Sequence, residues 1–246
     1  MASPAHLTVA NFNALCGKAE GRDKLARFWQ YAARAIFGLT QMGNMKAGSR
    51  LYWINEMAGN IMKQLASTRR AHRFCKEVPV IQAILQSLPA KVPAKLDISF
   101  EVLVERGLDL LQKVTLATFM IIDHIGWLKQ MKVLRGGKRA GTGTIQLGLA
   151  WFCLSNCLGM LIQAKKLRDV WGEEGKQNKR KTTAENMMKH GFLVVQTAHL
   201  SRVYESNDAL VGILGMITST MDVLAQWPEK KVSDEKVSPD AKAMAR

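Results

Sequence analysis

Gly21 to Thr40, GRDKLARFWQYAARAIFGLT, carries the periodicity that decides the fold. At about 100° per residue, Leu25, Phe28, Trp29, Ala32, Ile36 and Leu39 fall on one stripe of a helix. Arg27 and Arg34 sit almost opposite that stripe, and Lys24 lies on its flank. Such a helix either closes a soluble core or lies in a lipid interface. Aromatic residues on one side and basic residues on the other favour lipid. Asp23 falls in the first turn, where a carboxylate suits the positive end of the macrodipole. Gly38 and Gly43 weaken the far end.

Working outward, residues 1–20 read as a short helix or loop, and a second helix is expected over Arg50 to Lys76. Ile54, Met57, Ala58, Ile61, Met62 and Leu65 share one face of it; Glu56, Asn60 and Lys63 oppose them. Its end turns basic with Arg69, Arg70, His72, Arg73 and Lys76. That cluster is either a solvated helix end or a headgroup-binding surface, where each charge near an anionic leaflet contributes roughly 1 kcal/mol. On the lipid reading, Lys24, Arg27, Arg34, Lys63, Arg69, Arg70, Arg73 and Lys76 are candidate headgroup contacts. The candidate membrane-binding side chains are then Leu25, Phe28, Trp29, Ala32, Ile36, Leu39, Ile54, Met57, Ile61 and Leu65. Residues 1–95 hold fourteen Lys/Arg against four Asp/Glu, so most of the net charge of +15 sits there.

Pro79 and Pro89 bracket a short helix, VIQAILQSL, and the loop Leu88 to Lys95 is the expected domain boundary. Phe100 to Leu128 is helical again, with Leu110, Val114, Ala117, Ile121, Ile125 and Leu128 on one seam. Lys113 and Asp123 suit a bundle or interfacial helix rather than a span. Lys129 to Thr144 reads as a flexible basic linker. Thr144 to Ala164, TIQLGLAWFCLSNCLGMLIQA, has no formal charge and is the clearest span. At about 1.5 Å per residue it reaches roughly 30 Å, a bilayer core. Ser155 and Gly159 offer a small-x-x-x-small notch for helix packing. The basic stretch to Lys181 is an expected loop, and Thr183 to Glu205 a further helix. Asn207 to Trp227 is a weaker second span: Gly215 and Ser219 lie on its small-residue face, and Asp222 needs an interface or a partner helix. The tail after Pro228 reads as disordered. The division is 1–90 amphipathic, 91–143 bundle and linker, 144–227 anchoring, and 228–246 tail.

Composition narrows the class. Apolar residues make up 48%, above a disordered chain, while a mean hydropathy of −0.06 is too low for a polytopic transporter. One or two C-terminal spans with amphipathic N-terminal helices fit, in an all-α integral membrane protein. A pI near 9.9 calls for an anionic partner, and anionic membrane lipids fit better than nucleic acid because Thr144 to Ala164 is uncharged. Cys16, Cys75, Cys153 and Cys157 form no C-x-x-C pair. GGKRAGTGT lacks the lysine of a phosphate loop, and Asp123 beside His124 points elsewhere on a helix. No catalytic, cofactor or metal site is expected.

GRDKLARFWQYAARAI resembles the N-terminal signature of the peroxin-11 family through Gly21, Arg22, Asp23, Lys24, Arg27, Gln30 and Tyr31. LASTRRAHRFCKE is similar to that family's basic helix at Arg69, Arg70, Arg73, Phe74 and Lys76; His72 and Cys75 depart from it. DHIGWL, Asp123 to Leu128, resembles a third block. The resemblance implies a multi-helix protein of the peroxisomal or glycosomal membrane that promotes elongation and fission. It also implies helix insertion into the cytosolic leaflet, self-association into a homo-oligomer, and contacts with the fission machinery and the membrane-protein import receptor. Both termini would face the cytosol. A pore for small metabolites is the alternative activity it suggests.

Overall fold

The computed structural model describes residues 8–43, 46–88, 100–173 and 175–228, and no strand occurs among them. Eight helices follow in order: α1 (Val9–Gly17), α2 (Ala19–Gln41), α3 (Arg50–His72), α4 (Glu77–Ser87), α5 (Phe100–Gln130), α6 (Gly137–Val170), α7 (Gln177–Leu200) and α8 (Asp208–Gln226). Most of the expected boundary loop and nearly all of the tail after Pro228 lie outside the described residues. Side chains cap the starts of α1, α3 and α8: Thr8 Oγ1 accepts from the Asn11 amide at 3.2 Å, Ser49 Oγ from the Tyr52 amide at 3.3 Å and Asn207 Oδ1 from the Ala209 amide at 2.7 Å. Pro79 sits in the first turn of α4, where its missing N–H costs nothing.

The neighbour relations close on themselves: α2 packs on α3, α5 on α6, α6 on α7, α7 on α8, and α8 returns to α2. The circuit is completed by a sparse contact between α3 and α5, while α1 lies on α2 and α4 on α5. The expected N-terminal and anchoring regions therefore interlock through α2 and α8.

Two of these seams rest on glycine. Along α2–α8, Gly38 meets the Ala209 backbone, Gly212 meets Ala35, and Gly215 lies against the Tyr31 ring, so a Cβ at any of them would overlap its neighbour. Along α5–α6, a Cβ on Gly141 would stand 2.7 Å from the Gly126 carbonyl oxygen. This corrects the flexible linker over Lys129 to Thr144. The chain turns within 131–136 and is helical from Gly137: Gly136 and Gly137 take the positive φ values of the turn, 126° and 66°, and Gly141 serves close helix approach. The seventh helix is also shifted. It starts inside the expected basic loop at Gln177 and stops at Leu200, where Arg202 takes a φ of 65°.

Burial is inverted relative to a soluble bundle. Trp29 is 62% exposed, Leu39 55%, Leu147 55% and Leu224 55%, whereas Asp23 is 3%, Thr115 0%, Gln196 0% and Asp222 6%. α2, α3, α5, α6 and α8 each turn several large apolar side chains outward and polar ones inward; in α7 Met188 alone among the large apolar side chains is exposed, while Gln196 and Thr197 are buried.

Candidate functional site: a cationic cavity inside an apolar-faced ring

The inward faces are organised by carboxylates far away in sequence. Asp222 of α8 receives Arg27 Nη1 at 2.8 Å and Lys24 Nζ at 3.1 Å, and also pairs with Lys189. Arg27 donates in addition to Thr218 Oγ1 at 3.1 Å. Asp23 of α2 accepts from Arg69 Nε at 3.1 Å and Arg73 Nε at 3.3 Å, while Arg69 also reaches Gln30. Asp208 pairs with Arg34 and lies 3.2 Å from His199 Nε2. Arg70 Nε meets Asp123 at 3.2 Å, and Lys76 meets Glu20 at 2.9 Å. A buried charge is tolerable only when paired and hydrogen-bonded, and Asp222, Asp23, Asp208 and Asp123 serve that purpose, whereas the Lys76–Glu20 pair is largely exposed.

The expected headgroup set is therefore placed differently. Arg27 and Arg69 are buried; Lys24, Arg34, Arg70 and Arg73 are half-buried and turned to these acids; Lys76 is half-buried on Glu20 and Lys63 alone is exposed. A helical wheel orders residues around one helix and cannot place an acid supplied 195 positions later. Of the expected apolar set, Trp29, Ile36, Leu39, Met57 and Ile61 are exposed; Leu25, Phe28, Ala32, Ile54 and Leu65 are half-buried. The packing set lies between helices. Ser155 Oγ donates to the Gln112 carbonyl at 3.2 Å, and Gly159 faces Gln112 and His190 so closely that a Cβ would come within 2.6 Å. Ser219 Oγ donates to the Gly215 carbonyl at 2.6 Å, and Gly215 carries the Tyr31 ring.

The six helices enclose a cavity of about 680 Å³. Nine lysines and arginines line it against three carboxylates, Asp123, Glu205 and Asp208. Its other wall is apolar, with Phe119 and Phe152 stacked at 4.4 Å beside Leu116 and Leu149. Gln30, Lys189 and His199 were not singled out from sequence as part of a charged interior. Asp222 did leave a signal, as a carboxylate in an apolar helix that demanded a partner.

Two helices are long and apolar enough to cross a membrane, Arg139–Val170 within α6 and Asp208–Gln226. Residues 9–227 match the family described as Peroxisomal biogenesis factor 11 (PEX11). The chain belongs to the PEX11 family. Peroxisomal membrane protein 11D of Arabidopsis thaliana is 26% identical over 223 residues, 90% of this chain and 80% of that protein. No solved structure matches. PEX11 proteins are peroxisomal membrane proteins of organelle proliferation and division, a membrane-remodelling family rather than one of enzymes. All three motifs that carried the resemblance fall within the matched residues.

Proposed function

We propose that this PEX11 protein promotes curvature, elongation and fission of the peroxisomal or glycosomal membrane by embedding its apolar-faced ring in the bilayer. The observation that supports this most is the inversion along α2: Trp29, Ile36 and Leu39 point out while Asp23, Arg27 and Gln30 point in. Each fully buried apolar side chain contributes about 1.5–3 kcal/mol, so a few outward residues per helix suffice to hold it in lipid.

The neighbour relations bear on topology. Asn156 of α6 lies 3.0 Å from His190 of α7, and Cys153 Sγ reaches the Val194 carbonyl oxygen at 3.7 Å. α7 thus runs antiparallel beside the uncharged centre of α6. If α6 crosses the bilayer, α7 is carried in with it, and α2 enters beside α8 in the same way. Counting α2, α3, α5, α6, α7 and α8 gives an even number of crossings, which puts both termini on one side, the cytosolic side that the family resemblance implies. Insertion is then partnered: α2 brings its charges into the membrane only because α8 neutralises them. Self-association would use the outward faces, and the fission machinery and import receptor would meet the exposed basic connections.

The test uses the full chain in liposomes. Spin labels at Trp29→Cys and Ile36→Cys should report hydrocarbon depth, and vesicles carrying the wild-type chain should elongate. Labels in water, or vesicles that stay round at high protein density, would overturn the reading. The cavity favours a second reading, a pathway for small anionic metabolites. Planar-bilayer conductance that prefers anions and falls on neutralising Lys63 and Arg202 would support it over curvature alone.

A further inference from the structure

We propose that the cavity holds one anionic phospholipid per chain, its phosphate on the basic side and its acyl chains on the aromatic wall. The inference rests on the reading that the ring lies in a bilayer. The two walls demand different chemistry. A small anion would answer the surplus of cations but leave Phe119, Phe152, Leu116 and Leu149 against water. A hydrocarbon would cover those side chains but leave Lys63, the one lining cation with no carboxylate partner among the described residues, and the unused donors of the paired arginines unanswered. A phosphate-bearing amphiphile satisfies both. Arg70 and Arg73 meet their carboxylates through Nε, so the terminal nitrogens of both guanidinium forks remain for a phosphate.

The entry route is the α3–α5 seam, the sparsest in the ring. It is bridged by long polar reaches: Arg70 to Asp123, and Trp127 Nε1 to Ser67 Oγ at 3.1 Å. In the α2–α8 and α5–α6 seams, by contrast, glycine brings the two backbones together. A cavity of about 680 Å³ takes a headgroup and the upper part of the chains, leaving their ends to pass outward into the bilayer.

The experiment uses the delipidated full chain in neutral detergent, with binding followed by thermal shift and native mass spectrometry. The probes are dioctanoyl phosphatidic acid, dioctanoyl phosphatidylcholine and glycerol 3-phosphate. Phosphatidic acid should saturate at one molecule per chain and bind about tenfold more tightly than either of the others. Two variants leave the buried pairs intact: Lys63→Gln with Arg202→Gln on the basic side, and Leu149→Trp to fill the apolar wall. Each should weaken phosphatidic acid roughly tenfold without moving the lipid-free melting temperature by more than a few degrees. Equal binding of glycerol 3-phosphate would make the occupant a soluble phosphate and overturn the proposal. Equal binding of phosphatidylcholine, or stoichiometry well above one that ignores both variants, would also overturn it, showing adsorption to the outer surface. Vesicle elongation by the wild-type chain is read separately, so loss of the lipid site and loss of the curvature reading are distinguishable.

Discussion

α6 and α2 solve the same problem with opposite means. The centre of α6 carries no charge from Thr144 to Ala164, so it tolerates hydrocarbon on composition alone. α2 carries Asp23, Lys24, Arg27 and Arg34 within twelve residues, and under the proposed function it could stand in hydrocarbon only because Asp222, Asp208 and the arginines of α3 answer those charges. One helix is self-sufficient; the other is a member of a set. Membrane compatibility is thus a property of the sequence in α6 and of the packing in α2.

The comparison breaks first at Asp222. Asp222→Ala leaves Arg27, Lys24 and Lys189 without their shared acid and should cost about 3–5 kcal/mol, read as heat-induced loss of helical circular dichroism in detergent. Restoring partial stability with Arg27→Met in the same chain would tie the loss to an uncompensated charge. By contrast, Gln163→Ala in the uncharged run of α6 should fall within about 0.5 kcal/mol.

Steric substitutions sharpen the same contrast. Gly212→Val drives a side chain into the Ala35 backbone and should destabilise by about 1–3 kcal/mol, with α2 becoming sensitive to protease before α6 does. Gly141→Leu, against the Gly126 carbonyl, should cost a similar amount but expose α5 and α6 instead. If both variants opened the same helices, the two seams would not be separate structural units.

Surface changes come last. Trp29→Ala removes an outward, exposed side chain, so stability in detergent should change by less than about 0.5 kcal/mol, while on the proposed reading the depth of α2 in vesicles falls. In the connection between α6 and α7, a hydrogen bond from Lys176 holds the Glu173 carboxyl below its ordinary range. Whatever this pair contributes is present above the unfolded value and lost as pH falls through the lowered one. Lys176→Ala should return Glu173 toward the ordinary range in a carbon-detected titration, with no resolvable change in melting.

Much of this could be read before any coordinates. The helical periods of 21–40, most of 50–76 (the helix stops at His72) and 100–128, the uncharged run of α6, and the small face of α8 each reside in local spacing, and local spacing survives in sequence. The motifs around Gly21, Arg69 and Asp123 carried the family as well. The linker glycines were misread because a glycine-rich stretch looks the same whether it bends freely or lets two backbones touch. Gly141 against Gly126 is the second case, and only the neighbouring helix distinguishes them.

The sequence by itself determined that the chain is helical, that one face of α2 is apolar and the other cationic, and that Thr144 to Ala164 can stand in hydrocarbon. Only the tertiary structure decided which way the cations point. Coulombic attraction depends on distance in space, and the acids that turn Arg27, Arg34 and Arg70 inward come from helices 53 to 195 residues away.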